Sequence, residues 1–156
     1  MMLRALRKPE LPLRLLQKLS VWENLMEMAN AVRVPVDYLL NRGQSVRPVP
    51  RGAKVLQGDI RDPKSAKKAL GDLHFDAVVD WVAYTPEQVE KDIELFRGRA
   101  GQYIFISSAS AYQRPVTHYL ITESTPLANP YWQYSRDKIA CEERLMKAYR
   151  EEGFPV

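Results

Sequence analysis

Four short apolar runs constrain this chain most: "VDYLLNRG" at 36–43, "AKVLQGDIRDP" at 53–63, "FDAVVDWVAY" at 75–84 and "QYIFISSAS" at 102–110. Each is a β-prone stretch closed by a polar or glycine-containing turn, as expected of strands covered on both faces. Helical stretches separate the later runs. "PKSAKKALGDL" (63–73) has Pro63 in its first turn and Gly71 near its end. "TPEQVEKDIELFRGRAG" (85–101) has Thr85 as N-cap, Pro86 in the first turn and Gly98 as a stop. After a loop rich in Pro and Thr at 113–128, a last helix is predicted from about Pro130 to Glu152, capped by Asn129 and stopped by Gly153 and Pro155. Strands alternating with helices at this spacing give βαβ units. The expected fold is therefore α/β, a Rossmann-like parallel sheet flanked by helices, with ligands at the carboxyl ends of the strands.

Residues 1–35 read differently and form a separate, atypical segment; 36–156 form the partial nucleotide-binding-type domain. Apolar spacing in "LRLLQKLSVWENLMEMANAV" predicts a helix from about Leu13 to Ala31, which Pro35 ends. This start is also where the charge lies. The net charge is +4, and residues 1–20 carry Arg4, Arg7, Lys8, Arg14 and Lys18 against Glu10 alone, so the remainder is balanced. A basic field over the whole domain, which a nucleic-acid partner would want, is absent. No run approaches the roughly 18 apolar residues of a membrane span. Cys141 as the sole cysteine excludes an internal disulfide and suits a reducing compartment, so a cytoplasmic location is expected. With His74 and His118 far apart in the chain, no metal-ligand spacing is present.

The chemistry concentrates in "YWQYSRDKIACEERL", 131–145. Tyr134 and Lys138 stand four apart on the predicted helix and so share a face. A phenol titrates near pH 10, too high for efficient proton transfer at neutral pH, and a nearby ammonium stabilises the phenolate. The pair makes a general acid or base. Alone it would be a common coincidence, but "YIFISSASAY" (103–112) ends the preceding strand in clustered hydroxyls. A strand-end serine can hold a substrate oxygen while the phenol exchanges its proton.

With these motifs the chain resembles the extended short-chain dehydrogenase/reductase family, the NAD(P)-dependent epimerase/dehydratases, over about residues 36–156. "LLNRG" looks like the family's second-strand end, "GDIRDP" its third-strand acidic turn and "VVDWVAY" its fourth-strand cofactor contact. "ISSASAY" looks like the fifth-strand active-site motif, and "ITESTPLANPYWQYSRDKIACEE" the run into the catalytic helix. The resemblance implies catalytic roles for Ser108, Tyr134 and Lys138, with Lys138 also on the nicotinamide ribose. It puts Asp59 and Ile60 against adenine, and Val82 and Ala83 along the cofactor through their backbone. Asn41 and Arg42 close the second strand, where an acid would favour NAD. An arginine there can pair with a 2′-phosphate, so NADP is preferred over NAD. The implied reaction is hydride transfer on an alcohol or ketone, often a nucleotide-sugar. Ser107 and Ser110 read as strand terminators. Trp81 stands where the family has a small or apolar residue. Tyr131 and Trp132 read as packing or an edge of the substrate site, and Cys141 as packed.

Two parts of the family pattern are missing. No glycine precedes Gly43, so 1–42 lack the loop that cradles a pyrophosphate, together with a clear first strand. The chain also stops at Val156, before the family's substrate-binding part. The sheet is thus expected to be incomplete at both ends, its flanks covered by the N-terminal segment or by a second copy of the chain. A shifted reading frame, a fragment and a partner-completed variant all account for this pattern. The rival to an enzyme is a catalytically silent Rossmann-like module that binds another protein.

Overall fold

A computed structural model describes residues 38–43, 49 and 52–156; the helix expected at 13–31 lies outside them. The chain divides into two compact units, whose described residues run from 38 to 73 and from 74 to 156.

In the first unit, β1 (Tyr38–Asn41) and β2 (Lys54–Gln57) pair in parallel, Tyr38 opposite Lys54 and Asn41 opposite Gln57. The Gly58 amide continues the ladder by donating to Asn41 O at 2.8 Å. Helix α1 (Pro63–Leu70) comes next, with Asp62 as N-cap accepting from the Lys64 amide and Pro63 in the first turn, where a missing N–H costs nothing. Its buried side chains are Ala66 and Leu70. A Cβ on Gly58 would lie 2.7 Å from that of Ala69, so only glycine lets the strand end sit this close to α1.

In the second unit, β3 (Phe75–Asp80) and β4 (Ala100–Phe105) pair in parallel, with α2 (Pro86–Phe96) as the crossover. The helix α3 (Gln133–Glu152) closes the unit. Its core is Val89, Ile93 and Phe96 from α2, Tyr103 and Phe105 from β4, Leu145 and Ala148 from α3, and Phe154. The Tyr103 ring sits 6.0 Å from Phe96 and 5.3 Å from Phe154. Across the surface, Arg144 pairs with Glu90 of α2 and with Glu152, which also binds Arg97 at 2.6 Å. Gly153 ends α3 in the left-handed conformation, φ 67°, and the chain turns so that Pro155 O accepts from the Tyr103 amide at 2.6 Å.

The parallel α/β architecture is as expected, with two local corrections. The run at 102–110 is a strand only to Phe105; residues 109–111 form a short 3₁₀ turn. Thr85 is the N-cap of α2 as expected, without a side-chain cap hydrogen bond. The last helix starts at Gln133 rather than Pro130, and Asn129 is not its cap. The Asn129 carboxamide oxygen is spent on the Tyr131 amide in a local turn and its NH2 donates to Ser110 O at 2.7 Å.

Candidate functional site

The carboxyl ends of β3 and β4 meet the first turns of α3, and this is where the chemistry-bearing side chains of the second unit collect. Asp80 ends β3 and organises the turn after it. One carboxylate oxygen accepts from the amides of Val82 and Ala83 at 2.8 and 3.1 Å; the other accepts from the Tyr103 hydroxyl at 2.6 Å. Burial, with the Asp80 and Asp92 carboxylates beside it, pushes the Tyr103 phenol far above its usual range, so it stays a donor.

The turn thus fixed presents Ala83 O to Lys138. The ammonium donates to Ala83 O at 2.7 Å and to Ile106 O at 2.8 Å, both carbonyls beyond the strand ends. It also lies 4.3 Å from the centre of the Phe105 ring and 5.0 Å from that of Tyr84. Lys138 is 1 % exposed. A buried charge is tolerated only when it is well partnered, and dipoles and ring faces serve that purpose here. One helical turn earlier, Tyr134 packs against Trp132 (4.8 Å between centroids) and Tyr84 (6.2 Å). Tyr131, at 75 % exposed, is not a packing residue, and Trp132 is half exposed over the Tyr134 ring.

Ser108 belongs to a chain of hydroxyls. Its Oγ is 2.8 Å from that of Ser110, which accepts from Ser135 Oγ at 2.9 Å, while Asn129 holds the Ser110 carbonyl. Ser110 is therefore a network member, not merely a terminator. Ser107 donates to Glu142 on α3. Sequence reasoning passed over Ser135 and Glu142 and read Asn129 only as a helix cap. The available signal was position: Ser135 adjoins Tyr134, and Glu142 is one turn past Lys138 on the same face. Of the backbone candidates, Ala83 is buried and Val82 is exposed. The Trp81 indole N–H is buried without a hydrogen-bond partner. Cys141 is buried and its thiol is pushed up to about 12 by burial, a packed and unreactive group.

Glu142 is almost fully buried, and burial raises its carboxyl above the usual range despite the Ser107 hydrogen bond and the Lys138 charge, both of which pull the other way. Above the unfolded-state value the folded state then holds the extra proton, so this group lowers stability as pH rises toward its folded pKa. Glu142→Gln keeps an acceptor for Ser107 and removes the titration. Its unfolding free energy relative to the unsubstituted protein is expected to climb as pH rises above the ordinary carboxylate range, read from urea melts. A flat or falling difference would refute the assignment.

The remaining predicted residues belong to the first unit. Asn41 accepts from the Gly43 amide at 2.7 Å, and its side-chain NH2 is buried without a partner. Asp59 accepts from the Arg61 amide at 2.9 Å, while its own amide donates to Ser65 Oγ at 3.0 Å. Ile60 is partly buried and Arg42 is exposed. Two buried donors have no hydrogen-bond partner, Asn41 Nδ2 in the first unit and Trp81 Nε1 in the second. Among the described residues there is no group of His, Cys, Asp and Glu fit to hold a metal ion, and no helix long and apolar enough to cross a membrane.

The sequence model of the NAD dependent epimerase/dehydratase family matches residues 24–156. The UDP-glucose 4-epimerase of Lactobacillus helveticus is 33% identical over 118 residues, 65% of this chain and 35% of that protein. A second kind of similarity is short. The DNA polymerase of Paramecium bursaria Chlorella virus NY2A is 56% identical over 43 residues, 28% of this chain and 5% of the polymerase. The DNA polymerase delta catalytic subunit of Bos taurus is 59% identical over 39 residues, 25% of this chain and 4% of the subunit. The chain thus spans about a third of the epimerase and about a twentieth of the polymerases. No solved structure matches.

Proposed function

The chain belongs to the NAD-dependent epimerase/dehydratase family, and we propose that residues 36–156 carry the proton-transfer half of an NAD(P)-dependent oxidation and reduction of a hydroxyl-bearing carbon. In this reading Tyr134 exchanges a proton with the substrate oxygen. Ser108, backed by Ser110 and Ser135, donates a hydrogen bond to that oxygen. Lys138 holds the nicotinamide ribose. A bound nicotinamide supplies the hydride chemistry. Val82 and Ala83 line it through their backbone, and Asn41, Arg42, Asp59 and Ile60 receive the adenosine end, with NADP favoured over NAD. A sugar-nucleotide substrate is the class suggested by the epimerase relative. A cytoplasmic location fits the single buried cysteine.

The observation that carries this reading is the burial of Lys138 between the two strand-end carbonyls, one turn past Tyr134. An amine that merely decorated a helix would be solvated. Titration of the purified chain with NADPH and with NADH, followed by nicotinamide fluorescence, is expected to give binding that Lys138→Ala weakens about tenfold or more. Silence toward both nucleotides overturns the reading.

The polymerase similarity spans only about a twentieth of those proteins, so no polymerase activity is assigned. A second reading, a silent module with a protein partner, draws on the exposed Tyr119, Leu120 and Val116 of the loop before α3. Nucleotide silence together with a stable dimer by light scattering would favour it.

A further inference from the structure

We propose that Asn129 is a positioning residue for Ser108: its NH2 sets the direction of a hydroxyl relay through Ser135 and Ser110, and Ser108 is left with its proton free to be donated. The use of that proton on a substrate oxygen deepens the function proposed above and rests on it.

The relay begins at an amide whose two ends cannot be exchanged. Asn129 is 8 % exposed. Its Oδ1 accepts from the Tyr131 amide at 3.2 Å, and its Nδ2 donates to Ser110 O at 2.7 Å. A main-chain N–H only donates and a carbonyl only accepts, so flipping the carboxamide would lose both bonds. Nδ2 also reaches Ser135 Oγ, at 3.4 Å. That contact is long, but an NH2 can only donate across it. Ser135 lies in the first turn of α3 and is fully buried. With a donor facing its oxygen, it gives its own proton to Ser110 Oγ at 2.9 Å. Among the described residues Ser110 Oγ has one other hydrogen-bond neighbour, Ser108 Oγ at 2.8 Å, so the Ser110 proton goes there. The Ser110 amide donates to Ser108 Oγ as well, at 3.2 Å.

A hydroxyl oxygen accepts two hydrogen bonds and gives one. Ser108 Oγ thus has both acceptor sites filled, each from Ser110, and its proton unspent. Burial falls along the relay, from Asn129 and Ser135 to the half-buried Ser110 and Ser108, so the unspent proton is at the accessible end. Hydrogen bonds aligned in one direction polarise one another. A serine in this state suits an oxygen that gains negative charge as it reacts. Run in reverse, the same relay would offer Ser108 as an acceptor, the wrong partner for that oxygen. Ser110 and Ser135 transmit the direction, and Asn129 decides it.

Neutron diffraction from the deuterated full chain, without nucleotide, reads the direction itself. The expected order places the Ser135 deuteron toward Ser110 and the Ser110 deuteron toward Ser108. The opposite order, or deuterons split between the two, overturns the proposal. The role is read from turnover of UDP-glucose with NADP. Asn129→Asp keeps the shape of the side chain but faces Ser135 with an acceptor, and is expected to lower turnover about 10²-fold above the ordinary carboxylate range. The deficit should shrink as pH falls into that range, where a protonated carboxyl donates again. In a Ser108→Ala background the same substitution should change turnover by no more than about twofold, because its effect passes through the deleted hydroxyl. A deficit that ignores pH, or that persists undiminished without the Ser108 hydroxyl, makes Asn129 a structural residue and overturns the proposal. The function proposed above fails on a separate result, silence toward both NADPH and NADH, which leaves the deuteron order unaffected.

Discussion

Under the proposed function, Tyr134→Phe is expected to lower turnover of a sugar-nucleotide substrate by about 10²–10⁴-fold while leaving NADPH binding within about threefold, on the argument that a loss confined to the reacting state leaves ground-state binding intact. The substitution deletes one oxygen and leaves the ring. That ring holds Tyr134 in place through its contacts with Trp132 and Tyr84. The packing of α3 against the strand ends therefore survives, as does the Lys138 tether, which uses carbonyls and not the phenol. The loss is then confined to the hydroxyl proposed to exchange a proton with the substrate oxygen. Steady-state kinetics beside a fluorescence titration separates the two. A variant with turnover close to the unsubstituted protein would remove Tyr134 from the chemistry. A variant that also lost nucleotide binding would make it a structural residue.

Asp80→Ala is expected to cost roughly 3–5 kcal/mol of stability, on the argument that several buried donors lose their acceptor at once. Val82 and Ala83 amides and the Tyr103 hydroxyl all converge on this carboxylate. The Tyr103 hydroxyl would retain a long contact with Asp92 at 3.4 Å, a relief that the two amides do not share. Asp80→Asn keeps an oxygen for those amides and should cost only about 1–2 kcal/mol. Urea denaturation of the pair tests the idea, and an Asp80→Ala loss no larger than that of Asp80→Asn would refute it. Because the 82–83 turn also carries the carbonyl that holds Lys138, the alanine variant should loosen the site along with the fold.

Much of this architecture could be read in the chain. The four apolar runs are each bounded by a turn, and the helices between them carry Pro at the start and Gly at the end. Local sequence and long-range packing therefore agree. Tyr134 and Lys138 were legible for the same reason: helical periodicity alone places them on one face. The hydroxyl relay was not. Ser110 and Ser135 are 25 residues apart, and only the fold brings their oxygens to 2.9 Å. The start of α3 was misjudged because Asn129 looks like a cap in isolation, while its side chain is claimed by Ser110, nineteen residues earlier. Asp80 had a signal that periodicity does not weigh, an acid inside the apolar run "AVVDWV". Such a residue must find donors, and it finds them in the adjoining turn.

The anchoring of Lys138 has an evolutionary corollary. Its partners at positions 83 and 106 are main-chain oxygens, which every amino acid supplies. Drift at those two positions is limited by the space their side chains fill and not by any functional group they must retain. Divergent descendants can therefore keep the amine in register while the residues that hold it change identity.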